Sequence, residues 1–376
     1  MDLQHKYPSI NYLEQRARRR TPHFAWEYLA SGTGAETLID RNIARLNEIE
    51  FSPSMCKGDF TPKIATELFG HAYSAPFGAA PVGMSGLMWP GAERYLAATA
   101  ARHNMPYCLS MVACETPETI GPLAAGNGWF QLYAPSQMEI ENDLLRRAKE
   151  SGFKTLVFTV DVPVGSRRER QLRAGLTMPP KLTPLTLMRI ASRPAWTIAT
   201  LKHGQPRFRI LEHYFKDAPI SAGARLVGEV LDARPDWDHV RRTRDNWDGN
   251  FIVKGIMTPE DARASISAGA DAIVVSNHGG RQFDAAPATI DVLPDIAREV
   301  DSVVPVIFDS GLRGGLDIMR ALSRGADFCL FGRAFLFAVA ALGERGADHA
   351  YEILKADLEN NMIQLGIKSL DELRRK

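Results

Sequence analysis

A chain of 376 residues has room for two or three average domains, but α/β barrels of this length also run as one. With 45% hydrophobic and 24% charged residues, the composition excludes disorder, collagen and coiled coil. Lys+Arg 45 against Asp+Glu 44 leaves a net charge of +1, which argues against a broad nucleic-acid-binding face.

The opening residues mix Asp2, Gln4, His5 and Lys6 with a charged run from Arg16 to Arg20, so neither a signal peptide nor an N-terminal anchor is expected. No stretch reaches the roughly 18 uncharged apolar residues of a spanning helix. Cys56, Cys108, Cys114 and Cys329 have no CxxC or other metal spacing, so free thiols in a reducing cytoplasm are expected, and no metal.

Eight short apolar runs follow, each closed by a polar or glycine residue: Pro76 to Pro81, Pro106 to Ser110, Trp129 to Tyr133, Thr155 to Asp161, Phe251 to Lys254, Ala272 to Ser276, Pro305 to Asp309 and Phe328 to Gly332. Thr116-Pro117 and Thr258-Pro259 read as helix starts, and Ser136 to Glu139 has capping-box spacing. Gly269-Ala270-Asp271 and Gly325-Ala326-Asp327 end two helices alike, as in a repeated βα module. Eight such units predict a (β/α)8 TIM barrel, with residues 1–376 as one domain.

Gly165 to Asp248, after the fourth run, is far longer than a normal βα loop and is expected to be a lid or binding insertion (165–248). From Arg170 to Leu211 it has eight Lys/Arg and no carboxylate, around the apolar stretch Leu182 to Leu201. That suits an anionic membrane surface or a partner protein, or else a lid folded on its own barrel.

Barrel enzymes work at the C-terminal ends of their strands, so the closing residues are the candidates. These are Gly83, Ser110, Gln131 with Tyr133, Thr159 with Asp161, Lys254, Ser276 to Arg281, Asp309 to Arg313, and Gly332-Arg333. The glycine-rich segments Gly311 to Gly315 and Gly332-Arg333, after strands seven and eight, suit a phosphate. His278 is a candidate base that Asp161 would orient, or a structural histidine. Lys254 needs a negative partner, forms a Schiff base in a phosphate-substrate aldolase or isomerase, or makes a structural ion pair.

The run Ser276-Asn277-His278-Gly279-Gly280-Arg281-Gln282-Phe283-Asp284 is the most specific of these motifs. With Trp129-Phe130-Gln131-Leu132-Tyr133, Thr159-Val160-Asp161 and Tyr28-Leu29-Ala30-Ser31-Gly32, it resembles the FMN-dependent L-2-hydroxy acid dehydrogenases and oxidases over nearly the whole chain. The resemblance implies FMN as cofactor and oxidation of an L-2-hydroxy acid to the 2-oxo acid. It makes His278 the base and Asp161 its partner, gives the substrate carboxylate to Arg168 and Arg281, and has Tyr28 and Tyr133 hydrogen-bond the substrate. Lys254 would face the flavin N1/O2 edge, with Val82, Gly83, Ser110, Gln131, Thr159 and Ser276 around the ring. Asp309, Gly311, Arg313, Gly332 and Arg333 would hold the ribityl phosphate.

Val82 and Val112 stand where glycolate oxidase has a threonine and a bulky aromatic, and with Arg244 to Gly249 they look more like bacterial L-lactate dehydrogenases. L-lactate is therefore the first expected substrate and an aromatic hydroxy acid the second. Gly83, where oxidases generally carry alanine, points to a quinone or similar separate acceptor rather than oxygen. The resemblance also implies attachment through the insertion to the cytoplasmic face of the inner membrane, and a homotetramer.

Overall fold

The computed structural model describes residues 2–176, 183–215, 228–231 and 233–374. A short antiparallel hairpin, β1 (Thr66–Leu68) and β2 (His71–Tyr73), precedes eight parallel strands. These are β3 (Phe77–Ala79), β4 (Tyr107–Ser110), β5 (Gly128–Tyr133), β6 (Thr155–Thr159), β7 (Asn250–Ile256), β8 (Ala272–Val275), β9 (Val306–Phe308) and β10 (Phe328–Phe331). They close in chain order, with β10 pairing β3. All eight expected runs thus become barrel strands.

Strand side chains alternate between faces, so each run has two jobs. One set, including Phe77, Leu109, Phe130, Phe158, Phe251, Val275 and Phe308, packs outward under the helices. The other set, Cys108, Trp129, Val157, Ile252, Val274, Ile307 and Leu330, fills the barrel interior. Two residues further along this inward face lie Ser110, Gln131, Thr159, Lys254, Ser276, Asp309 and Gly332. Strand period therefore carries the polar residues to the open end above a dry core. Leu68 and Tyr73 of the hairpin join that core from below, where the Trp129 indole N–H donates to the Tyr73 hydroxyl at 3.2 Å.

Thr116 and Thr258 precede the helices Pro117–Ala124 and Pro259–Ser267, and Thr258 Oγ1 accepts the Asp261 N–H. The expected capping box at Ser136 does not form. Its helix starts at Met138 behind Gln137, while Ser136 Oγ donates to the Glu229 carbonyl at 2.9 Å, a tie to the insertion.

In the insertion, Lys181 and Leu182 lie outside the described residues, and the apolar stretch is divided. Helices Pro184–Ala191 and Pro194–His203 lie against the barrel through Trp196, which is buried edge-on to Phe24 at 6.0 Å and donates to the Leu87 carbonyl at 3.1 Å. Arg189 and Arg193 donate to the Ala174 and Thr21 carbonyls. Leu185, Leu187, Met188, Ile198 and Leu201 are exposed, Leu201 by 82%. No helix among the described residues is long and apolar enough to cross a membrane.

Candidate active site

A cavity of about 580 Å³ opens at the C-terminal mouth of the barrel. It is lined by Tyr28, Val82, Gly83, Gln131, Tyr133, Thr159, Arg168, Lys254, His278, Arg281, Asp309, Gly311, Arg313, Gly332 and Arg333. Ser110, Asp161 and Ser276 stand behind this wall and hold its members. Ser110 Oγ donates to Gln131 Oε1 at 2.7 Å, and Ser276 Oγ accepts from Lys254 Nζ at 2.6 Å and from the His278 N–H at 3.1 Å.

Asp161 Oδ1 meets His278 Nδ1 at 2.9 Å, which leaves Nε2 as the nitrogen for a ligand. His278 sits in the left-handed region at φ 57, followed by Gly279 and Gly280 at 64 and 75, so the chain turns sharply after β8. Opposite, the strand bulges at Gly255, whose φ of 110 no side chain adopts easily. A Cβ there would lie 2.6 Å from that of Asp161, so this glycine makes room for the carboxylate. Burial pushes the His278 imidazolium below its ordinary pKa against the pull of Asp161, leaving the ring neutral at pH 7. Burial alone would raise the Asp161 carboxyl, but His278 and Lys254 bring it below the usual range.

Lys254 pairs with Asp309 at 2.9 Å. Burial alone would lower its pKa, but Asp309 and Asp161 raise it, so the amine stays protonated and cannot act as a nucleophile. The guanidinium groups of Arg168, Arg281, Arg313 and Arg333 have no carboxylate within 4.0 Å among the described residues. Burial, then the neighbouring Arg168, pushes Arg281 down to about 9, and burial lowers Arg313 and Arg333 too. Partly buried cations without counter-ions make this end of the cavity an anion site.

The helix His23–Ala30 anchors two of these groups by its free C-terminal carbonyls. Arg281 Nη1 donates to the Tyr28, Leu29 and Ser31 carbonyls. Arg333 was expected to complete a phosphate site, yet its guanidinium donates to the Leu29, Gly279 and Ser31 carbonyls. The glycine-rich turn also differs from expectation. The Arg313 and Gly314 N–H groups are taken by Asp317, and those of Gly315 and Leu316 by Asp357, so they are not free for an anion. Gly311 and the Arg313 side chain remain at the cavity.

Gly83 supplies a flat wall: a Cβ there would lie 2.6 Å from Val112 Cγ2 and 3.4 Å from the Tyr28 hydroxyl, which donates to the Gly83 carbonyl at 2.9 Å. Burial raises both the Tyr28 and Tyr133 phenols, keeping them protonated donors. Gln131 Nε2, Thr159 Oγ1 and Asp161 Oδ2 are buried without a hydrogen-bond partner among the described residues. Such groups are costly unless a ligand satisfies them. A donor and a hydroxyl beside Lys254, with an arginine cluster beyond, fit the polar edge and phosphate of FMN.

Two supports had no role assigned from the sequence. Ser310, left-handed at φ 82, donates to Asp309 Oδ1 at 2.7 Å and accepts the Gly279 N–H at 3.0 Å. Asn42 and Asn277 exchange amide hydrogen bonds of 3.0 and 2.8 Å, fixing the His278 turn to the N-terminal region. Ser310 lies within the candidate segment Asp309 to Arg313, whereas nothing in the sequence marks Asn42.

The chain is similar to known proteins over nearly its whole length. The chain is 36% identical to L-lactate dehydrogenase of Ectopseudomonas mendocina over 360 residues, 95% of this chain and 94% of that protein. It is equally identical to L-lactate dehydrogenase of Chromohalobacter salexigens over 361 residues, 95% and 91% of the two. Among solved structures, the monotopic membrane protein (S)-mandelate dehydrogenase superposes with a TM-score of 0.92 at 31% identity, covering 97% of each chain. The model of the FMN-dependent dehydrogenase family matches residues 17–376, and the chain belongs to that family.

Proposed function

We propose that this FMN-dependent oxidoreductase oxidises an L-2-hydroxy acid, L-lactate first, to the 2-oxo acid and passes the electrons to a quinone-type acceptor. The observation that carries the reading is the His278–Asp161 pair, which shares one cavity with the carboxylate-free Arg168 and Arg281. FMN, when bound, supplies the two-electron acceptor that side chains lack. Arg168 and Arg281 hold the substrate carboxylate, and Tyr133 donates to its oxygens, joined by Tyr28 once its hydroxyl turns from the Gly83 carbonyl. His278 Nε2 takes the proton while Asp161 stabilises the imidazolium. For the cofactor, Lys254 with Asp309 and Ser276 faces the ring edge, supported by Gln131, Thr159, Ser110, Val82 and Gly83. Gly311, Arg313 and Gly332 serve the phosphate, with Arg333 turning to it from the carbonyls it now binds.

The Schiff-base reading loses its footing, because Lys254 is held charged by Asp309. An aromatic hydroxy acid is the second substrate reading, favoured by the apolar lining of Val112, Phe208 and Leu231. The exposed leucines of the insertion and the carboxylate-free stretch Arg170 to Leu211 support peripheral attachment to the cytoplasmic face of the inner membrane. Assembly as a homotetramer belongs to the same reading by family likeness.

The test is colour. Anaerobic L-lactate bleaches the flavin absorbance and D-lactate does not, and stopped-flow mixing then shows faster reoxidation by a soluble quinone than by oxygen. No bleaching by any L-2-hydroxy acid overturns the function. Faster reoxidation by oxygen, with stoichiometric peroxide, makes the protein an oxidase.

A further inference from the structure

The stretch carrying Arg168 is stitched to the N-terminal region at four points. Thr33 Oγ1 donates to the Arg167 carbonyl at 2.9 Å, and the Gly34 N–H donates to Glu169 Oε2 at 3.1 Å. Arg170 pairs with Glu27 and with Glu36 at 2.6 Å each. Glu27 is buried on the helix His23–Ala30. Glu36 also accepts the Gly32 N–H at 3.1 Å and sits in the left-handed region at φ 63. A non-glycine residue keeps that conformation only where its surroundings fix it. The same strap, residues 27–36, grips the opposite side of the cavity. Its carbonyls hold Arg281, and the Thr33 N–H donates to the Gly280 carbonyl at 3.2 Å. Arg168 and Arg281 therefore hang from one segment. Arg170 is half-exposed and does not line the cavity, yet it is the cation between the two carboxylates of that segment.

We propose that Arg170 is a positioning residue: by bridging Glu27 and Glu36 it sets Arg168 at the separation from Arg281 at which both grip one carboxylate. This rests on the assignment of Arg168 to the substrate carboxylate. Without Arg170, among the described residues Glu27 keeps only His23 at 3.6 Å and Glu36 only the Gly32 N–H, neither of which ties them to the Arg168 stretch, and the strap and that stretch part. Its influence falls on groups that reach Arg168 and Arg281 through a negative charge; Arg333, which the strap carbonyls also hold, keeps its separate bond to the Gly279 carbonyl.

The experiment compares Arg170→Gln, Arg168→Met and the double variant, each as the FMN-loaded enzyme. Oxalate is titrated into the oxidised form by flavin absorbance, and KM and kcat are measured for L-lactate and its methyl ester. Arg170→Gln weakens oxalate binding and raises KM for L-lactate about tenfold, the scale of a small misplacement of a binding group. Flavin content and the methyl-ester KM are unchanged, and Arg170→Lys restores part of the loss. The double variant is no worse than Arg168→Met, because the two residues act through one contact. Additive losses, an equal loss on the ester, or unchanged oxalate affinity overturn the proposal. If Arg170→Gln does not fold, Glu36→Gln carries the same comparison. If Arg168→Met leaves oxalate affinity unchanged, the assignment of Arg168 falls and this proposal with it, whereas an effect of Arg168→Met alone overturns only the role of Arg170.

Discussion

His278 was recognisable as a residue type at a strand end, but its competence as a base comes from burial and from Asp161, 117 positions away in the chain. A base works only while unprotonated, so the rate is full above the His278 pKa and lost as pH falls through it. Because burial places that pKa below the ordinary 6.5, flavin reduction is expected to hold into mildly acid solution. Asp161→Asn removes a group that raises it, so the acid limb of the pH profile moves lower while the rate drops. A limb that moves higher contradicts the pairing. His278→Gln is expected to retain FMN and lose ~10² to 10⁴-fold in anaerobic reduction rate, the usual range of general-base catalysis. Near-normal reduction in that variant removes His278 from the role. Arg281→Lys weakens oxalate binding, since an ammonium lacks the planar fork and cannot grip both carboxylate and helix carbonyls.

Elements were more legible than their contacts. Apolar runs of four to seven residues, closed by polar ones, marked every barrel strand, because a strand buried on both faces needs an unbroken apolar sequence. The candidates followed from their place at the ends of the runs, and period two explains why they face inward. What stayed hidden depends on residues far apart: the carbonyls of His23–Ala30 that take Arg281 and Arg333, the Asn42–Asn277 exchange, and the Ser136 bond that replaced a local cap. Local propensity carries no information about such partners. The bulge in β7 gives a test at this scale. Gly255→Ala forces a side chain into a φ of 110 and against Asp161, and is expected to destabilise by about 1–3 kcal/mol. Denaturant midpoints measure the loss, and flavin reduction slows with it because the carboxylate is displaced. An unchanged midpoint and rate would show that the bulge tolerates a Cβ.

Over the whole molecule, the basic insertion divides into an anchored side and a free one. Trp196 docks beside the loop that carries Gly83, while Leu185, Leu187, Met188, Ile198 and Leu201 face outward. Replacing these five by glutamine should abolish cofractionation with anionic phosphatidylglycerol vesicles while leaving thermal stability and lactate-driven bleaching intact, since none is buried. Wild-type cofractionation should weaken as salt rises, and vesicle binding that survives the replacement refutes the attachment. The hairpin β1–β2 has its own bearing on turnover. With Leu68 and Tyr73 seated under the interior core, the lower end of the barrel is shut, and donor and acceptor must share the upper mouth. A two-substrate enzyme with a single doorway serves its customers in turn. Initial rates measured against lactate at several fixed quinone concentrations should therefore give parallel double-reciprocal lines, whereas intersecting lines would mean that both molecules stand in the doorway together.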